Sequence, residues 1–243
     1  MYLVDAHCHL HEFNDMEVLN YCGNPSLGIL AVSDNYTSSL ETLKISSKCL
    51  NVVPSVGIHP WNVGKVNLGE VEAVLESARN VRFLGEVGID KRFVPESYEK
   101  QVEVLRRFLE YASTNGLGVN LHAAGAWSDA LKMLFKYDVK VAIIHWYTGP
   151  PELLNDIHSV GYYITVNPAV SLQPKLRDIV SKASLDMILT ESDGPYVYRG
   201  IRMTPEKVLD VVHEISLIKG VEAQEVFSTI LRNYRDALRA VGL

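Results

Sequence analysis

The sequence has no apolar run approaching the roughly 18 residues that cross a bilayer, and no C-x-x-C pair. It has no G-x-G-x-x-G or phosphate-binding loop after any apolar run, and no excess of positive charge. A membrane span, a cysteine-built zinc finger and a dinucleotide-binding sheet are therefore not expected. The net charge of −6 supplies no global field to draw in nucleic acid, which leaves only a locally basic rim. Cys8, Cys22 and Cys49 are odd in number and irregularly spaced, so a disulfide framework is not expected. Unpaired thiols fit a reducing compartment, and the opening MYLVDAHCHLH places one Asp and three His where a secretory signal needs an apolar stretch. A cytoplasmic location is expected, without a membrane partner.

The chain has 243 residues, of which 47% are hydrophobic and 21% charged, the proportions of a protein with a well-packed interior. Short, β-branched apolar runs recur at 2–9, 27–34, 51–59, 82–90, 118–122, 141–146, 162–167 and 187–193. Each is mostly apolar on both faces, as parallel strands covered by helices are. Between them, stretches at 39–50, 69–80, 96–115, 128–137, 151–160 and 174–183 carry apolar residues at helical spacing. Eight strands alternating with helices over this length predict an α/β fold, a single (β/α)8 TIM barrel spanning 1–243. A doubly wound open sheet is the alternative, but the polar residues fall at many strand ends instead of one switch point. The segment 208–242 reads as two helices, the second an extra C-terminal helix against the barrel exterior. No heptad or exposed apolar stripe marks an obligate protein partner.

Five of the eight histidines, His7, His9, His59, His122 and His145, fall at the C-terminal ends of predicted strands. That rim is where a TIM barrel gathers its catalytic groups. Strand alternation puts Asp5, His7 and His9 on one face and Val4, Ala6 and Cys8 on the other. The apolar set faces the helices, so the imidazoles turn to the barrel mouth. The same phase turns Glu86, His122, His145 and Asp193 inward. Four imidazoles and two carboxylates exceed the needs of one tetrahedral ion and suit two ions bridged by a carboxylate and a hydroxide. An imidazole-rich set favours zinc or manganese over magnesium, which prefers oxygen ligands. His11 is expected in a loop, and His158 and His213 on helices away from the mouth.

These residues resemble the TatD-type metal-dependent hydrolases of the amidohydrolase-like barrels. VDAHCHL at 4–10, GIHPW at 57–61, GEVGID at 85–90, His122, IHWYTG at 144–149 and ESDGPY at 191–196 occur in family order, and LRNYRDAL at 231–238 resembles the family's last helix. The resemblance implies a two-metal site that hydrolyses phosphodiester bonds in DNA. His7, His9 and Asp193 would hold one ion and His122 and His145 the other, with Glu86 bridging. His59 would touch the substrate. The sequence departs from the family at two places: Ala123-Ala124 follow His122 without the frequent Arg, and Trp146-Tyr147 replace the usual Cys-Phe. Both changes touch the pocket lining and leave the ligand set intact.

In the expected mechanism, a water held by the two ions as hydroxide attacks the phosphorus. Asp193 orients it and accepts its proton, with Glu191 as a secondary helper, and His59 donates to a non-bridging oxygen. Lys91 and Arg202 are the leading candidates for phosphate contact, with Arg92 and Arg199 nearby. Trp61, Trp146, Tyr147 and Tyr196 stand where a base could stack. The expected partners are DNA ends or small phosphodiesters.

Three other readings compete. An amidase, deacylase or lactonase on the same barrel would often bridge its ions with a modified Lys where Glu86 stands. A polymerase-and-histidinol-phosphatase-type phosphoesterase would end in Asp-x-His, where this chain has Glu191-Ser192-Asp193. A non-catalytic metal-binding scaffold would have no need of all six groups.

Overall fold

The computed structural model describes residues 2–243. Eight parallel strands follow one another around the sheet in chain order: β1 (Leu3–Cys8), β2 (Leu27–Ala31), β3 (Val52–Val56), β4 (Phe83–Gly88), β5 (Gly118–His122), β6 (Val141–Ile144), β7 (Tyr163–Val166) and β8 (Ile188–Thr190). The ends of the sheet meet. Asp193 N–H donates to His7 O at 3.0 Å and His9 N–H to Gly194 O at 2.9 Å, so the seam closes just beyond β8. The result is a (β/α)8 barrel, as the alternation predicts.

The helices follow from caps and periodicity. They are α1 (Asp15–Cys22), α2 (Tyr36–Ser46), α3 (Pro60–Val63), α4 (Leu68–Ser77), α5 (Tyr98–Asn115), α6 (Trp127–Lys136), α7 (Leu154–Ser159), α8 (Pro174–Lys182), α9 (Val208–Lys219) and α10 (Ala223–Ala240). Asn14 and Asn35 form capping boxes with Glu17 and Ser38, which satisfy the free N–H groups that open α1 and α2. Gly116 ends α5 at φ 64°, a left-handed position that suits glycine. Apolar residues at 104, 105, 108, 109 and 112 bury one face of α5 against β4 and β5. The last helix, α10, packs on β1 and β8 and so covers the seam.

The structure departs from the expectations in several places. The eight residues of α1 are too few for their periodicity to stand out, and the capping box is their clearer signal. Strand β8 ends at Thr190, three residues before the expected end, although Glu191 N–H still donates to Val166 O at 3.0 Å. A short hairpin, β9 (Val197–Tyr198) with β10 (Ile201–Arg202), occupies the loop after it. The thiols also need correction. Cys22, closing α1, and Cys49, in the turn before β3, are disulfide-bonded with Cα atoms 4.9 Å apart, while Cys8 is free and buried. Both sit at a small apolar cluster under α1 and α2, a juxtaposition that sequence spacing does not encode. Among the described residues, no helix is long and apolar enough to cross a membrane.

Candidate active site

The carboxylate of Glu86, on β4 and 1% exposed, is the hub of the barrel mouth. Its oxygens divide the imidazoles into two groups. Oε2 lies 3.4 Å from His7 Nε2 and 3.3 Å from His9 Nε2, both offered by β1 and its C-terminal edge. Oε1 lies 2.8 Å from His122 Nδ1, 3.2 Å from His145 Nε2 and 3.3 Å from His59 Nε2. Asp193 Oδ1 joins the first group, 3.5 Å from His7 Nε2 and 3.6 Å from His9 Nε2. All six residues that strand phase turned inward therefore meet at one point, with His59 beside them.

A second set of groups fixes which nitrogen each ring presents. His7 Nδ1–H donates to Asn120 Oδ1 at 2.7 Å, and Asn120 Nδ2 in turn donates to Ala6 O at 2.8 Å. His122 Nε2–H donates to Asp90 Oδ2 at 3.0 Å. His9 Nδ1 faces Asp34 Oδ1 at 3.1 Å, and His145 Nδ1 faces Glu191 Oε1 at 3.6 Å. A polar partner behind an imidazole holds the proton on the rear nitrogen and leaves the front lone pair bare. His59 is opposite in sense. Its Nδ1 accepts the Trp61 N–H at 3.1 Å, so a neutral His59 carries its proton on Nε2, facing Glu86. Hydrogen bonds hold His7 and His122 so that each gives a lone pair, His9 and His145 face a carboxylate without a hydrogen bond to it, and the fifth ring gives a hydrogen bond.

Electrostatics follow from this packing. Burial would lift the Glu86 carboxyl, but His59, His145 and His7, with the His122 hydrogen bond, outweigh it and hold the carboxyl well below its usual range. Asp193 is likewise lowered, with burial overcome by His9, His145 and His7. Burial works against the charged forms of His9 and His145, yet the carboxylates around them raise both well above ordinary imidazole. Desolvation prevails at His59, which is lowered. Beneath His7, burial raises Asp5 to about 7, against hydrogen bonds from Ser192. Two site residues lie in the left-handed region, Asp193 at φ 54° and Trp146 at φ 41°. Such positions cost about 1–3 kcal/mol each, and the His7–Asp193 seam bond helps to hold the first.

Above the hub lies a cleft of about 580 Å³. Trp61, Trp146, Tyr196 and Tyr198 line it, as do Lys65 and Arg92. Three expected contacts are corrected. Lys91 Nζ pairs with Asp129 Oδ2 at 2.5 Å on the outer surface, Arg202 reaches Glu17 Oε1 at 2.7 Å, and Tyr147 is fully buried with its hydroxyl on Pro150 O. Loop side chains obey no two-residue period, so proximity to a strand end did not fix their direction. His11 lies in the turn after β1, its Nε2 2.9 Å from Asp34 Oδ2, and His158 pairs with Asp186 at 3.1 Å away from the mouth.

The sequence reading missed Asp34, Asp90 and Asn120 as ring partners and Lys65 as a cleft cation. Asn120 could have been found, since it shares the strand phase of His122. Glu191 takes an unexpected part. It is fully buried, accepting from Thr165 Oγ1 at 2.5 Å and Asn167 Nδ2 at 3.1 Å, and it backs His145.

The donor set fits cations. Ring nitrogens oppose one another at 3.3 Å between His7 and His9 and at 3.2 Å between His122 and His145, and two unprotonated nitrogens so placed repel unless a proton or a cation intervenes. Ligand atoms around a tetrahedral ion with bonds of about 2.1 Å lie about 3.4 Å apart, close to most distances in this cluster.

An eight-stranded barrel with such a set at its C-terminal rim defines a metal-dependent hydrolase. The profile described as TatD related DNase matches residues 4–239. An uncharacterized metal-dependent hydrolase of Methanocaldococcus jannaschii is 28% identical over 240 residues, 95% of this chain and 94% of that one. The human deoxyribonuclease TATDN3 is 25% identical over 253 residues, 95% of this chain and 92% of that one. The crystal structure of YjjV, a TatD homolog from Escherichia coli, superposes with a TM-score of 0.86 at 21% identity, covering 97% of each chain. The chain belongs to the TatD-related DNase family.

Proposed function

We propose that this protein hydrolyses phosphodiester bonds in DNA, acting at strand ends or on short phosphodiesters, with two divalent cations that are zinc or manganese in preference to magnesium. The observation that carries the reading is the division of the imidazoles about Glu86, with two ligating rings on each carboxylate oxygen. His7, His9 and Asp193 would hold one cation, His122 and His145 the other, and Glu86 both. The human relative's description as a deoxyribonuclease supports the choice of substrate. So does the cleft, whose 580 Å³ suits a nucleotide or two and not a long duplex. When bound, the cations lower the pKa of water and neutralise charge on the phosphoryl oxygens.

The chain's own groups do the rest. Asp193 is ionised at neutral pH, so it can orient the attacking water and take its proton. His59, neutral because burial lowers it, directs Nε2–H at the hub, where it can donate to a non-bridging oxygen. Trp146 lines the same cleft as Trp61 and Phe93, its indole N–H held by Gln173 Oε1 at 3.0 Å.

The test is a panel of single-stranded DNA, duplex DNA, a nitrophenyl phosphodiester and amides, run with each metal after chelation. Turnover of the phosphodiesters with zinc or manganese is expected. His7→Ala and Asp193→Ala should abolish it while the circular dichroism stays native. Undiminished turnover in both variants would overturn the assignment, hydrolysis of amides alone would overturn the substrate, and activity with magnesium alone would overturn the metal preference.

A further inference from the structure

Two large aromatic side chains stand out from the cleft wall beyond β3 and β4: Trp61 is 45% exposed and Phe93 57%. Exposed rings are ordinarily free to move, but these are held. Trp61 Nε1–H donates to Asp90 Oδ2 at 2.7 Å, and the rings of Trp61 and Phe93 meet edge to face with centroids 5.7 Å apart. The backbone N–H groups of Arg92 and Phe93 donate to Asp90 Oδ1 at 2.7 and 2.8 Å. Asp90 is itself fully buried, and the oxygen that holds Trp61 also accepts from His122 Nε2. One carboxylate therefore fixes an aromatic ledge in register with an imidazole of the hub. Arg92 and Lys65 line the same cleft, the Arg92 guanidinium over the Phe93 ring at 5.2 Å from its centroid, and neither forms an ion pair with a carboxylate among the described residues.

An exposed aromatic pair held at its edges, beside two cations that no carboxylate pairs, matches a nucleotide, which offers a flat π-face and a phosphate together. Because Asp90 has already ordered the ledge, little freedom is lost on binding. Stacking accepts any base, since all have a π-face. We infer that Trp61 and Phe93 form a nucleobase-stacking subsite and that Arg92 and Lys65 hold the adjoining phosphate, so that the preferred substrate is a single strand with at least one nucleotide beyond the bond cleaved. The inference rests on the phosphodiesterase reading for its bearing on turnover, but it can be tested by binding alone.

The probes are a fluorescein-labelled, phosphorothioate-linked oligothymidylate, which resists cleavage, and a propanediol-phosphate oligomer of equal length and charge that has no bases. Fluorescence anisotropy with the metal-loaded protein should give the thymidylate roughly tenfold or more tighter binding, the order expected of one stacked base. Phe93→Ala is the cleanest variant because its side chain makes no hydrogen bond. It and Trp61→Ala should erase most of the difference between probes, Trp61→Phe should restore part of it, and Arg92→Ala should weaken both probes alike. Equal binding of the two probes by the unaltered protein would overturn the inference, as would a Phe93→Ala variant that keeps the full preference. If the preference holds but no phosphodiester is cleaved with any metal, the catalytic reading fails and the ledge stands.

Discussion

Asn120→Ala offers a measurement of how much the groups behind the imidazoles contribute. Asn120 is fully buried and makes two bonds, accepting from His7 Nδ1–H at 2.7 Å and donating to Ala6 O at 2.8 Å. Removing it leaves both partners buried and unpaired, at about 1–3 kcal/mol apiece, so the cation-free fold should lose about 2–6 kcal/mol. It also frees the His7 ring to turn or to exchange tautomers, and loss of such a partner weakens metal binding by about 10–100-fold.

These two effects separate in a thermal melt. With cation about 1,000-fold above its dissociation constant, binding stabilises the fold by about 4.1 kcal/mol, and a thirtyfold weaker site retains about 2 kcal/mol. At about 2–4 °C per kcal/mol for a chain of this size, the metal-induced rise in Tm should shrink by about 4–8 °C. Asn120→Asp, which keeps an acceptor for His7, should preserve more of that rise. An equal rise in Asn120→Ala and the unaltered protein would refute the claim that Asn120 positions His7 as a ligand.

Cation affinity should climb as pH rises above the ordinary imidazole range of about 6.5, because His9, His122 and His145 all bind protons more tightly than ordinary imidazole and must release them to ligate; a flat calorimetric profile there would contradict this. In the cation-free protein those raised imidazoles stabilise the fold below about pH 6.5 and cease to do so as pH rises through their folded values, whereas the lowered Glu86 and Asp193 stabilise it above about pH 4 and cease as pH falls through theirs. Urea melts across pH without metal should show both losses. His59→Ala should cut turnover by about 100-fold with metal content unchanged, and His59→Gln, which keeps a donor, should recover part of it; a loss of metal would instead make His59 a ligand. Alkylation in denaturant without reductant should label only Cys8, and reduction should expose Cys22 and Cys49 and destabilise the fold by about 3–4 kcal/mol for a loop of this length.

The inward direction of the candidate ligand side chains was legible because strand alternation is a rule of backbone geometry. Once Val4, Ala6 and Cys8 face the helices, His7 has no other direction to take. The groups behind the rings were not legible in the same way. Asp34 follows β2 and serves a ring beyond β1, Asp90 follows β4 and serves a ring on β5, and Glu191 serves a ring beyond β6 from the end of β8. These pairings depend on the curvature of the closed barrel, which no local pattern records. Lys91 and Arg202 were misplaced for a related reason, since each found an acidic neighbour on the outer surface that outcompeted the cleft. The disulfide escaped because its halves lie 27 positions apart, with helix, strand and turn between them.

The backbone bonds that zip β1 to the segment after β8 come from His7, His9, Asp193 and Gly194, which include three of the proposed donors. Closing the barrel and finishing the cation nest are thus a single event. As the chain leaves the ribosome, its earliest histidines must wait for nearly 190 further residues before their last oxygen ligand arrives. A partly made chain can therefore hold no complete reactive centre, and any breathing of that seam would switch the chemistry off before the rest of the fold gave way.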